Sequence, residues 1–130
     1  MLEIKTVSEL INAFEVSLKD ILTILKAISN NKRLVILKAL LSGEKTFNDL
    51  KKETDLKKTA LSNHLLRLID AELIIKPIHN KYRLTSDGGL FLGALEAAYH
   101  NSEIKEKKET EKLQRRQFSD SFIESFFGGK

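Results

Sequence analysis

The hydrophobic period of this chain changes abruptly in its middle, and that change limits the folds open to it. From Lys57 to Ala71, Leu61, Leu65 and Leu68 recur at i, i+4 and i+7, the buried face of a helix. Directly afterwards Leu73–Ile78 reads as a strand, His79, Asn80 and Lys81 as a tight turn, and Tyr82–Thr85 as the returning strand. Pro77 has no N–H to donate, so it belongs where a strand edge faces solvent.

The segments on either side are helical. From Val7 to Ser29 apolar residues recur at helical spacing (Leu10, Ile11, Phe14, Leu18, Ile21, Leu22, Leu25, Ile28), as one helix or as two joined near Ser17, with Ser8 as N-cap. Asn30 and Asn31 break the pattern. Leu34, Ile36, Leu37, Leu40 and Leu41 then make a second helix, stopped by Gly43. Thr46 caps a short helix carrying Phe47 and Leu50, and residues 54–56 form a turn. From Asp87 the chain is helical again through Leu90, Leu95 and Tyr99. A Lys/Glu-rich stretch follows from Glu103 to Arg116, with Glu109 and Lys112 as an i, i+3 pair, and then a tail of Phe118, Phe122, Ile123, Phe126 and Phe127.

This order predicts a mainly α fold with a small β-hairpin: a winged helix-turn-helix with long N- and C-terminal dimerisation helices. Residues 1–23 form the N-terminal dimerisation helix, 24–86 the winged core, and 87–130 the C-terminal helix and aromatic tail, for dimerisation or partner contact. The tail docks on the second subunit, binds another protein or is disordered; the sequence leaves all three open.

The net charge of +4 is modest, but its distribution is uneven. Residues 30–83 hold twelve Lys/Arg against six Asp/Glu, residues 1–29 three against four, and residues 84–130 seven against eight. Localised positive charge fits phosphate contacts better than evenly spread solubilising charge does. The absence of cysteine excludes disulfides, thiolate metal sites and cysteine nucleophiles, and fits a reducing compartment. No apolar run approaches the roughly 20 residues of a membrane span. Residues 1–5 lack the layout of a signal peptide, so the expected location is the cytoplasm, with no membrane contact.

With its leucines turned inward, helix 57–71 offers its other side to a major groove. There lie Lys57, Lys58, Thr59, Ser62, Asn63 and Arg67, with Ala60 small enough for close approach. The lysines suit phosphates, Asn63 can read adenine, and Arg67 guanine or a phosphate. The same face also fits a solvated side of an ordinary core helix. The hairpin adds Lys76, His79, Lys81 and Arg83 as a basic wing, suited to flanking phosphates or the minor groove.

The stretch from Ile24 to Thr85 resembles the arsenic-repressor-like (ArsR) family of winged helix regulators. Ala27–Leu37 is similar to that family's "ALADPTRLRILRLL" segment, Thr59–Ile74 to its "S-x-H-L-x-x-L-x-x-A-G-L-V" signature, and Tyr82–Thr85 to the end of its wing. The resemblance implies a dimer, a role in repression, and Ser62, Asn63 and Arg67 near DNA. His64 matches the family histidine, which either touches phosphate or packs partly buried. Glu72 departs from the family's glycine, which bears on the exit angle from the helix.

The resemblance also raises two metal-sensor sites. The cysteine site would fall near residues 46–52, where there is no cysteine. The second, on the C-terminal helix, finds Asp87, Gly89, His100 and Glu103. Asp87 reads better as a helix N-cap, and His100 with Glu103 as a surface pair on one helix face, so no metal or other cofactor is expected. No nucleophile–base pair or phosphate loop occurs, and enzyme activity is not expected. The leading expectation is a homodimeric, sequence-specific regulator of double-stranded DNA, acting as a repressor through helix 57–71 and wing 73–85. The alternatives are an architectural, largely non-specific DNA binder of the same fold, or a winged-helix protein-interaction module using the aromatic tail.

Overall fold

The computed structural model describes the backbone of residues 6–127 and the side chains of residues 6–117. In chain order the elements are α1 (Val7–Ile28), α2 (Asn31–Leu40), β1 (Lys45–Thr46), α3 (Phe47–Thr54), α4 (Lys58–Asp70), β2 (Ile74–Ile78), β3 (Lys81–Leu84), α5 (Ser86–His100) and α6 (Glu103–Phe127). The chain divides into two compact units, Met1–Leu90 and Phe91–Lys130, with the boundary inside α5. The expected mainly α architecture with a small β element is what the chain adopts.

The first unit holds the winged core. Ile36 and Leu37 of α2, Leu50 of α3, Leu61, Leu65 and Leu68 of α4, and Leu73, Ile74 and Tyr82 of the wing are buried together. The leucine spacing of α4 therefore does what its period demands. Thr46 caps α3 in a capping box: its hydroxyl accepts from Asp49 N–H (3.1 Å) while the Asp49 carboxylate accepts from Thr46 N–H (3.1 Å). The Thr46 N–H holds the Asp49 carboxyl below the usual carboxylate range.

Several local expectations are corrected. α1 is one continuous helix, and its N-cap is Thr6 rather than Ser8, because Glu9 sits where it completes a capping box with Thr6. α2 ends at Leu40, with Leu41 as its C-cap in ordinary helical geometry. Gly43 lies two residues further on with φ 134°, a conformation closed to side-chain-bearing residues, so it shapes the loop and not the cap. Of the apolar residues of this segment, Leu34 and Leu41 are exposed.

The hairpin is part of a three-stranded antiparallel sheet in the order β1-β3-β2. β1 is only two residues long and pairs Lys45 with Tyr82 and Thr46 with Lys81, too short to leave a period of its own in the sequence. β2 is an edge strand, as Pro77 requires, and its register with β3 slips between Ile75 and Ile78, around the residue that cannot donate.

At the base of the wing the Thr85 hydroxyl donates to the carbonyls of Glu72 (2.7 Å) and Leu73 (3.0 Å) and accepts from Gly88 N–H (2.9 Å). Thr85, not Asp87, thus satisfies the first turn of α5.

In the second unit the expected single C-terminal helix is broken at Asn101 and Ser102. The Asn101 side chain donates to Ala97 O (2.9 Å), closing α5, and the Ser102 hydroxyl accepts from Lys105 N–H (3.1 Å), opening α6. On α6 Lys105 pairs with Glu109 at i, i+4 (3.6 Å), whereas the expected Glu109–Lys112 pair is not among the ion pairs of the described residues. The side chains of the phenylalanine-rich tail lie outside the described residues.

Candidate nucleic-acid interface

The helix-turn-helix is built from α3, a three-residue turn and α4. Asp55, in the turn, adopts φ 55°, and the buried Thr54 hydroxyl donates to Leu50 O (2.8 Å) and accepts from Leu56 N–H (3.3 Å). Lys32 of α2 donates to Thr54 O (2.6 Å), so the end of α3 is tied to α2 as well.

α4 begins differently from α1 and α3. Its N-cap, Lys57, has no side-chain cap bond and its first turn holds no acidic residue. The first N–H groups of α4 thus have no side-chain cap at the positive end of the helix dipole, and Lys57 and Lys58 are exposed beside them.

Along the outward face Thr59 and Asn63 are exposed, and Ala60 and Ser62 are half-buried. Leu66, one turn beyond Asn63, is 56% exposed on the same side. Asp70 is exposed near the C-terminal end of α4, beside the exposed Arg67.

Lys58 and Ser62 share a groove with Lys76, His79 and Asn80 of the wing and with Phe47 and Asn48 at the start of α3. Helix and wing thus present basic side chains to one cleft. Lys76 also lies over the Tyr82 ring, 5.7 Å from its centre. Lys81 is exposed on β3, and Arg83 is exposed with a long ion pair to Glu44 (3.8 Å).

Two residues stand apart from this groove. Arg67 lines a shallow pocket on the α1 side with Thr23, Lys26, Ala27, Asp70 and Ala71. His64 is half-buried, and its Nδ1 lies 3.0 Å from an Arg33 guanidinium nitrogen. Burial, then Arg33 and Arg67, lower the proton affinity of His64. The packing reading of this histidine is therefore the one its surroundings favour.

Asn48 in the groove, Leu66 on the exposed side of α4 and Arg33 beneath it were not among the residues singled out from the sequence. Leu66 was legible from its helical phase with Thr59 and Asn63, but a search for polar side chains alone passes over it. Arg33 lies in the family-like Ala27–Leu37 segment, but nothing local says which groups it meets.

The metal candidates do not assemble. His100 ends α5 and Glu103 begins α6, so the turn between them removes the shared helix face that i, i+3 spacing implied. His100 Nδ1 instead lies 3.1 Å from Lys105 Nζ. Among the described residues no group of three His, Asp or Glu is placed to hold a metal ion. No helix among them is long and apolar enough to cross a membrane.

Residues 30–76, from the N-cap of α2 into the wing, match the family described as "Bacterial regulatory protein, arsR family". Over these residues the chain is similar to that family, and its fold is a winged helix-turn-helix. The match is to regulators and not to enzymes.

Solved structures share the fold. HlyU from Vibrio cholerae is 28% identical with a TM-score of 0.57, covering 67% of this chain and 96% of its own. NolR from Sinorhizobium fredii is 27% identical with a TM-score of 0.55, covering 78% and 100%. A homodimeric winged helix-turn-helix DNA-binding domain from Mycobacterium bovis, 20% identical with a TM-score of 0.59 and covering 81% and 95%, shares the architecture. A comparison with curated proteins gives no match. Glu72, where the resembled family has glycine, adopts φ 61°, the left-handed geometry a glycine would take.

Proposed function

We propose that the chain is a cytoplasmic, homodimeric transcriptional repressor that binds a pseudo-palindromic site in double-stranded DNA. The observation that carries this reading is the outward side of α4. An uncapped, basic N-terminus leads into exposed Thr59 and Asn63, and the adjoining groove is completed by Lys76 and His79 of the wing.

The N-terminal half of α4 enters the major groove, because its exposed lysines and uncapped first turn favour phosphate there. Lys57 and Lys58 contact the backbone, Thr59, Ser62 and Asn63 face base edges, and Ala60 permits close approach. Leu66 meets a thymine methyl. Arg67, on the α1 flank, takes a phosphate. Asn48, Lys76, His79, Lys81 and Arg83 engage the flanking backbone.

The dimer is supported by α1. Val7, Ile11, Phe14, Leu18, Ile21, Leu25 and Ile28 alternate at spacings of four and three, a coiled-coil seam, and most of it is exposed in the single chain. Residues 24–86 are the reading head, and residues 1–23 and 87–130 supply pairing surfaces. A two-fold dimer sets two copies of α4 about 34 Å apart, one turn of DNA.

Selection of duplexes from a random pool, followed by titration across ionic strength, tests the reading. The expected result is a preferred site bound at least about a thousandfold more tightly than random DNA, with affinity falling steeply as salt rises. Equal affinity for all duplexes would make the protein an architectural binder. No salt-dependent binding at low ionic strength would leave a protein-interaction module.

A further inference from the structure

Arg33 is 7% exposed and joins three helices without touching the groove. Its backbone N–H is held by the side chain of Asn30, the N-cap of α2 (3.1 Å). Its guanidinium donates to Ala27 O and Lys26 O (3.1 Å for the latter), two carbonyls in the last turn of α1. The remaining nitrogen reaches His64 Nδ1, in the middle of α4, at 3.0 Å.

A guanidinium has only donors, so Nδ1 must carry a lone pair and His64 must be neutral, with its proton on Nε2. A second proton would remove that acceptor and set an imidazolium beside a buried cation.

We propose that Arg33 is the positioning residue for α4, gripping it through neutral His64, and that protonation of His64 releases the grip and weakens sequence-specific DNA binding in mildly acidic solution. This rests on the reading that α4 contacts DNA. The adjacent Asn63 and Ser62 are the side chains whose placement the grip controls.

The charged groups around His64 leave a proton nowhere favourable to sit. Arg33 faces it from α2 and Arg67 from α4 itself, and both lower its proton affinity behind the larger effect of burial. Lys26 of α1 lines the Arg67 pocket. The carboxylate in that pocket is Asp70, and no carboxylate pairs with His64 among the described residues. Protonation adds positive charge near DNA and so favours binding to any duplex. Loss of positioning is therefore read in the ratio of preferred-site to random affinity.

The test measures that ratio for the full chain by fluorescence anisotropy at constant ionic strength, in steps from about pH 7.5 down to about pH 4.5, from above the ordinary histidine value to well below it because the fold lowers the proton affinity of His64. The wild-type ratio is expected to fall at least about tenfold on acidification. His64→Asn puts an oxygen acceptor near the Nδ1 position that cannot be protonated, and should hold the ratio constant. His79→Gln, at the wing tip, should fall as wild type does. A constant wild-type ratio, an equal fall in His64→Asn, or a fall abolished by His79→Gln overturns the proposal.

Imidazole nitrogen resonances give a readout independent of DNA: Nδ1 should be unprotonated at neutral pH, and a proton found there overturns the Arg33 grip. Absence of any duplex binding at every pH sinks the DNA reading, and the proposal with it. A flat ratio with preferred-site binding intact sinks the proposal alone.

Discussion

Glu72 shows how a single residue absorbs a departure from a family pattern. It follows the C-cap of α4, where its N–H donates to Ile69 O (2.9 Å) and Leu73 N–H donates to Leu68 O (3.0 Å), the paired bonds of a Schellman close. Leu68 and Leu73, both buried, supply the apolar contact that accompanies it. The left-handed backbone costs a residue with a side chain about 1 kcal/mol. Glu72→Gly is therefore expected to raise the unfolding free energy by somewhat less than about 1 kcal/mol, since glycine also loosens the unfolded chain. Urea denaturation measures this, and a loss of stability would mean that the Glu72 side chain contributes more than its strain.

Gly88 is constrained in the opposite sense. A Cβ there would run into the Leu73 carbonyl oxygen and come within 2.9 Å of Leu84 Cδ1. Gly88→Ala should cost about 1–3 kcal/mol by forcing the start of α5 off the wing base. An unchanged urea midpoint would show that the junction can shift freely.

At the scale of elements, α4 and the wing divide the work of binding. Asn63→Ala should lose about 1–3 kcal/mol of discrimination at one base pair and leave affinity for random duplexes nearly unchanged. Lys76→Ala and Lys81→Ala should weaken all duplexes alike, each reducing the slope of log affinity against log salt by about one. Competition binding with single-base variants of the preferred site separates the two patterns, and an exchange of patterns would move the reading face to the wing.

The α1–α2–α4 junction carries a pH dependence of stability apart from DNA. Folding lowers the proton affinity of His64, so the unfolded chain binds that proton more readily. The contribution is complete above the ordinary histidine value of about 6.5 and is lost as the pH falls below it. Thermal midpoints should drop on acidification in wild type, with the His64 share of that drop missing in His64→Asn. Equal drops would assign the acid sensitivity elsewhere.

For the whole molecule, the apolar stripe of α1 is the feature that asks for a second copy. Phe14 is 45% exposed and Leu18 49%, and the stripe continues through Leu22 and Leu25. An acidic residue in such a seam is disfavoured once it is buried. Phe14→Asp with Leu18→Asp should shift sedimentation from dimer to monomer and lose the tight binding that two half-sites on one duplex provide. A doubly substituted chain that sediments as wild type would show that α1 is not the pairing surface.

Patterns repeating over one element were legible in the chain. The leucines of α4, the alternation and turn of the wing, the position of Pro77 and the capping role of Thr46 follow from period and backbone chemistry, because each is a local rule with a local solution. The polar side of α4 was legible in the same way, as the complement of its leucines. What only the tertiary structure decided are matters of which distant groups meet. Arg33 sits in a family-like segment of the sequence, but its partners are fixed only when α1 brings it two carbonyls and α4 brings it His64. His64 leaves the outward face for the same reason. β1 exists because β3 lies beside it, Arg67 turns to the α1 flank, and Thr85 displaces Asp87 as the cap because its hydroxyl also reaches the wing carbonyls. Hydrogen bonds and burial between elements far apart in sequence have no period to announce them, and they come into being only when the chain has closed on itself.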